Sequence, residues 1–589
     1  MIKSKTLVSI SMLMFKRDLN QDFIDYFIPF VIATLKDMDP KESIYDSEVS
    51  CQLSKKCGIV VPSKPMQIIL KRLSKKGIIE ISNHRYTINS TKLIQEPNIF
   101  DDSAAIQQKI QYFINKFQQY YNIHEKSSID SGGAEKYIIT FLDKFVIQSI
   151  QLSVNEEQES DRNKINKQIV GKFILDIQQN DQECFDYFVI LLKGYIVANA
   201  ITTNEYENTK TYYKNISFFL DTSLILNLCG LHDIYSQHST IELINLVKKI
   251  GGKFFVFSKT IEEATASIDF AISHLRNHSN TLGNRIVRFA KEQNKGPSEL
   301  ELKREKLEDS LKGYGITIFP DPSFVVQYNV DEVELKNLLS SRINYPRDNA
   351  LIHDIRVIQN IYFLRKGYSA KKIEDSIAIF VSDNTEFVKA AQEFSKKNQL
   401  GFTTATTSFH LANQAWLKDP LSTSSLPQNE LLAIAYASQK PSNDFLRNYL
   451  KKINSLKEEK NLNDDDYFIL TSIVTDEDVM DATKGDVSLL TKDSLSEIVL
   501  RTRKRIAAEE YNKQIKKEAR IIRVFCVWVL RILSVIFSAV LFYYSENSII
   551  KFTMDVIAWI ATLLGFVLLK WFDKIGVYIE TAIINYRSK

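Results

Sequence analysis

Apolar residues recur along the chain in three rhythms, and each predicts a different kind of element. Between residues 100 and 215, Ile106, Ile110, Phe113, Phe117 and Tyr121 fall three and four apart, which draws one stripe down a helix. A Ser/Gly break at 127–133 and an acidic stretch at 155–161 divide this region into successive helices, read as a connector or dimerisation bundle. From Ile216 the rhythm changes to short apolar runs at 216–220, 253–257 and 377–381, each leading into a helical segment, as buried parallel strands do. The third rhythm is continuous: 524–544 and 552–569 are almost wholly apolar, each near the roughly 20 residues that span a bilayer core, with a tight turn between them. Lys and Arg crowd 501–523 and return after 569, whereas the turn region carries only Lys551, so the positive-inside rule puts both ends of a two-helix transmembrane hairpin in the cytoplasm. The expected location is the cytoplasmic face of a bacterial inner membrane. A weaker apolar stretch at 7–15, broken by serines and followed by no small-residue cleavage site, is read as part of a folded domain.

Residues 44–90 read as helix, turn, helix and hairpin. Asp46 and Ser63 stand at helix starts with Pro65 in the second first turn, Gly58 and Gly77 at helix ends, and Asn83 and His84 between two short strands. With the preceding helical stretch 23–35, this segment resembles a winged helix-turn-helix domain. Its second helix would bury Ile68, Ile69, Leu70 and Leu73 and present Lys64, Lys71, Arg72, Lys75 and Lys76, which in a nucleic-acid binder contact phosphates and groove edges. The same fold also binds proteins or dimerises, so DNA, RNA and protein partners all stand open.

Composition narrows the class without choosing the chemistry. A chain of 589 residues, 44% hydrophobic and 25% charged, is globular material; its length suits about three or four domains. A net charge of +4 is small against 75 basic and 71 acidic residues, so any electrostatic footprint is local. The five cysteines have no zinc-type spacing and are too few for a secreted disulfide scaffold, which points to a reducing compartment.

The chemistry-bearing residues follow the short apolar runs. Asp221 ends the first, and a carboxylate at the carboxyl end of a buried parallel strand lies at the crevice where such sheets bind ligands. Glu262 and Glu263 open the helix after the second run, Asp354 sits in a helix before the third, and Ser382, Asp383 and Asn384 follow it. In this order the residues resemble the PIN domain of metal-dependent ribonucleases, over about 216–415. Leu220, Asp221, Thr222 and Ser223 match the first acidic motif, Glu263 beside Ala264 the second acid and Asp354 the third. Ser382, Asp383, Asn384 and Phe387 match the fourth, with Asp and Asn in the reverse of the order many members carry.

The resemblance implies that Asp221, Glu263, Asp354 and Asp383 are the catalytic and metal-binding acids, supported by Thr222, Ser382, Asn384 and Glu262. It also implies an RNA substrate cut to a 5′-phosphate and a 3′-hydroxyl. Acids gathered at one sheet edge cannot all ionise without cations, and hard oxygen ligands suit Mg²⁺ or Mn²⁺. Two such ions can direct water at a phosphodiester without a nucleophilic side chain. Each acid has a plainer reading: Glu262 and Glu263 as helix-start charges, Asp383 as a cap, Asp354 as a solvated helical acid, and His353 as a packing or hydrogen-bonding neighbour.

Together these readings give a multidomain α/β plus α chain. A winged helix-turn-helix-like domain (1–98), a helical connector (99–215), a PIN-like parallel-sheet domain (216–415) and a small helical module (416–490) precede a basic juxtamembrane helix (491–523), the transmembrane hairpin (524–569) and a cytoplasmic tail (570–589). The stretch 277–346 exceeds a minimal PIN-like fold, and its charged helix at 298–311 reads as a lid, an RNA-contacting arm or, more simply, a solvated helix. The expected function is a membrane-anchored, homo-oligomeric ribonuclease of toxin or defence type. The alternatives are a non-catalytic membrane adaptor and a permeabilising effector that oligomerises through Arg531 and Asp555.

Overall fold

In the computed structural model, the chain is described at residues 4–15, 23–150 (except 84 and 126), 161–202, 212–277 (except 215), 284–345, 348–418, 425–459 (except 442), 462–483, 487–546 and five positions between 574 and 581. Contacts divide it into two units, Met1–Ser455 with Val479–Ser488, and Leu456–Asp478 with Leu489–Lys589.

The apolar stretch near the N-terminus is a helix, Ser4–Phe15, whose Leu7, Met12 and Leu13 are buried. It packs on the helix Gln182–Ala200, where Gly194 permits the approach: a Cβ there would lie 2.1 Å from the Ile10 carbonyl oxygen. Gly194→Ala would gain about 1 kcal/mol of helix propensity. Because the obstacle is backbone, the overpacking cost of about 1–3 kcal/mol should outweigh that gain. A net loss of stability in urea unfolding is expected, and an equally stable variant would show that the two helices do not lie this close.

The helix-turn-helix segment comprises the helices Asp46–Cys57 and Ser63–Lys75 and an antiparallel pair, β1 (Ile79–Ser82) and β2 (Arg85–Ile88). Gly58 and Gly77 adopt the left-handed conformation, with φ of 71° and 72°, and let the chain turn out of each helix. Asp46 faces across to the second helix and accepts from Ser63 and from Gln67 Nε2 at 2.8 Å. Lys64, Lys71, Lys75 and Lys76 are exposed, while Arg72 turns inward to Asp25 at 2.6 Å. His84 lies outside the described residues, as does the acidic stretch up to residue 160. The connector forms the helices Ser103–His124, Ser131–Ile150, Asp161–Asn180 and Gln182–Ala200. The predicted stripe Ile106, Ile110, Phe113, Phe117 and Tyr121 is buried.

Five parallel strands follow: β3 (Ser217–Leu220), β4 (Lys253–Phe257), β5 (Thr317–Phe319), β6 (Ala378–Val381) and β7 (Ala405–Thr406), in the order β5-β4-β3-β6-β7. β6 is buried throughout and β3 nearly so, which is why their sequences run apolar without alternating. From β3 the chain builds outward through β4 and β5, then returns to build β6 and β7 on the other flank. The carboxyl ends of β3 and β6 therefore flank the point where strand order reverses, the place where open parallel sheets form a crevice.

Much of the 277–346 stretch is integral to this unit. It supplies the edge strand β5, and the helix Pro297–Glu305 packs on Ser258–Arg276 through buried Leu300, an Arg304–Asp269 ion pair at 2.6 Å and an Arg276–Glu301 pair. The helices Ser408–Lys418 and Leu426–Ala437 also belong here, packing on Ile234–Lys249.

In the second unit, the helix Lys492–Glu546 is anchored near its start by Arg503 to Asp466 at 2.9 Å and Thr502 to Asp478 at 3.3 Å. Among the described residues no helix is long and apolar enough to cross a membrane. This overturns the transmembrane hairpin, the membrane keywords drawn from it and the inner-membrane location. The described part of 524–544 continues a charged helix and contains Arg531, while the second run 552–569, with Lys551 and Asp555, lies outside the described residues. The adaptor and permeabilising readings lose their membrane component with it.

Candidate active site

Asp221 stands one residue past β3 and caps the helix Thr222–Leu228. Its Oδ1 accepts the Thr222 N–H at 2.7 Å, which fixes the carboxylate over the crevice. Its Oδ2 accepts from Ser382 Oγ at 2.5 Å, a residue one past β6, so the two strand ends are joined across the reversal point. The Thr222 hydroxyl donates to Glu263 on the helix Ser258–Arg276. From the helix Asp348–Arg365, His353 stands with Nε2 3.6 Å from Glu263 and Nδ1 3.5 Å from Asp354, and Asp354 Oδ2 accepts from Tyr345 at 2.6 Å. The Thr260 hydroxyl meets His353 Nε2 at 3.2 Å. Asp221, Glu263 and Asp354 therefore come from three separate elements to one place, and all three are half-buried.

The electrostatics follow from that gathering. Burial pushes Asp221 up to about 7, and the charges of Asp354 and Glu263 add to the rise against the Ser382 hydrogen bond and the His353 ring. For His353, burial favours the neutral ring, but the Asp354 hydrogen bond and the charges of Glu263, Asp354 and Asp221 outweigh it and hold the ring above its ordinary value. Tyr345 is raised by burial and by Asp354, so it stays a donor. Near neutral pH, Asp221 is therefore the carboxyl of the cluster that lies at the edge of ionisation.

The other expected residues separate into distinct roles. Glu262 is exposed and paired with Lys259 at 2.7 Å, so Glu263 is the acid of this helix that faces the cluster. Asn384 caps the helix Thr385–Lys397, accepting from Phe387 N–H at 3.2 Å, and its own N–H donates to Ser382 Oγ at 3.1 Å. Asp383 turns to the opposite side of the strand end: Ser408 donates to it, and its charged neighbours are Arg285 and Asp233. That side holds a second polar group, with buried His232 bonded to Asn227 at 2.8 Å, Asp233 paired with Arg285 at 2.7 Å, and Glu430 accepting from Ser239 at 2.5 Å. Sequence reasoning passed over Tyr345 and cast His353 as a bystander. Tyr345 lies in a loop with no periodic pattern to aim it, whereas the adjacency of His353 to Asp354 was a usable signal.

Beside the cluster, an open cleft of about 640 Å³ runs between the helices Ser258–Arg276 and Asp348–Arg365, with Glu263 and His353 on its wall. Carboxylates are hard oxygen ligands of the kind that suit a divalent cation, and burial, with the charges of Asp354 and Glu263 added, raises Asp221 to about 7. Among the described residues, however, no group of three or more His, Cys, Asp or Glu side chains is arranged to hold a metal ion. Hydroxyls of Ser382, Thr222 and Tyr345 hold the carboxylates instead. Neither a family model, nor a curated protein, nor a solved structure matches the chain, so the site is read from its own geometry.

Proposed function

We propose that the chain is a metal-dependent ribonuclease of PIN-like type, acting at the Asp221–Glu263–Asp354 cluster beside the cleft. The observation that carries this reading is the meeting of three acids from separate elements at the reversal point of a parallel sheet, with Asp221 pushed up to about 7 by burial and by the other two. Bound Mg²⁺ or Mn²⁺ would supply the positive charge that favours the ionised form of Asp221 and that draws a phosphodiester in. The protein's own part is positional: Ser382 and the Thr222 amide orient Asp221, the Thr222 hydroxyl orients Glu263, and Tyr345 with His353 orients Asp354. Asp383, bonded to Ser408 on the far side, has no part in this reading. The exposed lysines of the Ser63–Lys75 helix and its end offer an additional contact to a nucleic acid.

A second reading, a binding protein without catalysis, is favoured by one observation: among the described residues the acids are not arranged around a metal position. End-labelled single-stranded RNA incubated with the purified full chain separates the two. Cleavage is expected in Mn²⁺ or Mg²⁺, with none in EDTA and a rate at least about 100-fold lower in Asp354→Asn. A folded wild-type protein that leaves the RNA intact in both metals supports the binding protein and removes the nuclease.

A further inference from the structure

One face of each cleft-lining helix points into the groove, and beyond Glu263 and His353 the two faces carry chemistry different from that of the acid cluster. On the helix Ser258–Arg276, Lys259, Glu263 and Phe270 recur at helical spacing, so this wall extends about 16 Å, three turns, from Lys259 to Phe270. Phe270 sits toward the far end, 37% exposed, with its ring 4.0 Å from that of His274. On the opposite wall Arg356 follows His353 by one turn and is exposed. The cleft also contains Glu262, Glu263 and Asp321, any of which could pair with a guanidinium. Yet Glu262 pairs with Lys259, Asp321 accepts from Lys259 N–H and Asn360, and among the described residues Arg356 has no ion pair or hydrogen bond.

A cation without an ion pair among the described residues and an exposed aromatic ring, lining one groove, are what a polyanion with flat bases requires. We propose that Phe270 and Arg356 form a binding subsite for single-stranded nucleic acid, Phe270 stacking a base and Arg356 holding a phosphate of the same strand. The proposal deepens the ribonuclease reading and, as an account of substrate choice, rests on it. Bases paired in a duplex turn their faces to their neighbours and cannot stack on Phe270, so the subsite selects unpaired strands.

Fluorescence anisotropy with a labelled RNA, single-stranded or annealed to its complement, tests this in EDTA so that binding is read without cleavage. The full chain should prefer the single strand. Phe270→Ala should weaken single-strand binding by about 5- to 100-fold while leaving duplex binding unchanged. Arg356→Ala should weaken single-strand binding and flatten the dependence of log K on log salt by about 0.7 to 1. Both side chains are exposed, so folding should survive, and circular dichroism checks that it does. Unchanged single-strand affinity in both variants, or equal losses on single strand and duplex, would overturn the subsite even if the wild type cleaves RNA in Mn²⁺. Conversely, the predicted losses in a wild type that never cleaves would uphold the subsite and remove only the nuclease.

Discussion

Asp221→Asn should lower RNA cleavage by about 100- to 1000-fold while making the folded protein more stable at pH 8 than the wild type. The first effect follows from removing the acid at the end of β3 that lies under the influence of both Asp354 and Glu263. The second follows from linkage. The folded-state value of Asp221 is raised from 3.8 to about 7, so the fold prefers the protonated acid. Its contribution to stability is therefore full below the unfolded value, near pH 4, and lost as pH rises towards and through about 7. The whole rise corresponds to roughly 4 kcal/mol at most. Asparagine cannot ionise and keeps the Thr222 N–H on its Oδ1, but its amide nitrogen must donate to Ser382 Oγ where the carboxylate accepted, and that reversal offsets about 1 kcal/mol of the gain.

The variant should thus lead by about 1–3 kcal/mol at pH 8, with the gap closing as pH falls to 4. His353 acts in the same direction: its ring is raised by the acids, so its stabilising share in the wild type is complete below about 6.5 and fades as pH rises through its folded value. Urea unfolding of both proteins across this range reads the gap directly. A difference independent of pH would mean that burial and the neighbouring charges do not hold Asp221 protonated, whatever happened to cleavage.

Arg365→Met should cost about 3–5 kcal/mol, a larger loss of stability than that expected of Gly194→Ala. Arg365 is 1% exposed, and its guanidinium donates to three carbonyls: Ala378 at 2.9 Å, Phe402 at 2.6 Å and Thr403 at 2.8 Å. Among the described residues no carboxylate pairs with it, and burial lowers its own value to about 10. Methionine fits the volume and removes the expense of burying a charge, which offsets part of the loss. It leaves three carbonyls buried without donors, at about 1–3 kcal/mol each, and that side of the balance is larger. Chemical denaturation would measure it, and a loss below about 1 kcal/mol would show that these carbonyls find water or other donors. Cleavage should fall as well, because Ala378 opens β6 and Ser382, which holds Asp221, follows its end.

The sequence carried the site better where acids sit at the ends of regular elements than where they sit in loops. Asp221, Glu263 and Asp354 were legible because a buried strand or a helical face fixes where each side chain points. Asp383 fits the same motif by spacing, but two consecutive residues leaving a strand point to opposite sides. Ser382 takes the side facing Asp221, which sends Asp383 to Ser408. The strands β3, β4 and β6 were evident as apolar runs, whereas β5 and β7, of three and two residues, are too short for any pattern to register. The charged segment within 277–346, open to reading as a lid, an RNA-contacting arm or a solvated helix, packs instead, because Leu300, Leu307 and Leu311 bury a face that its many charges had obscured. Apolar content at the C-terminus suggested a membrane span, yet among the described residues no helix meets that description.

The helix Asp348–Arg365 carries Asp354 in its first half and Arg365 at its end, three turns apart, roughly 16 Å along its axis. A helix is stiff along that direction, so it works as a strut: the carboxylate of Asp354 is indexed to the backbone of β6 and of the segment entering β7. A fragment ending before Ala378 would keep Asp221, Glu263 and Asp354 in its covalent sequence but lose the abutment that sets their spacing. The acidic centre therefore cannot be excised from the whole sheet, and loosening the distant anchorage should detune it without touching any group that meets substrate.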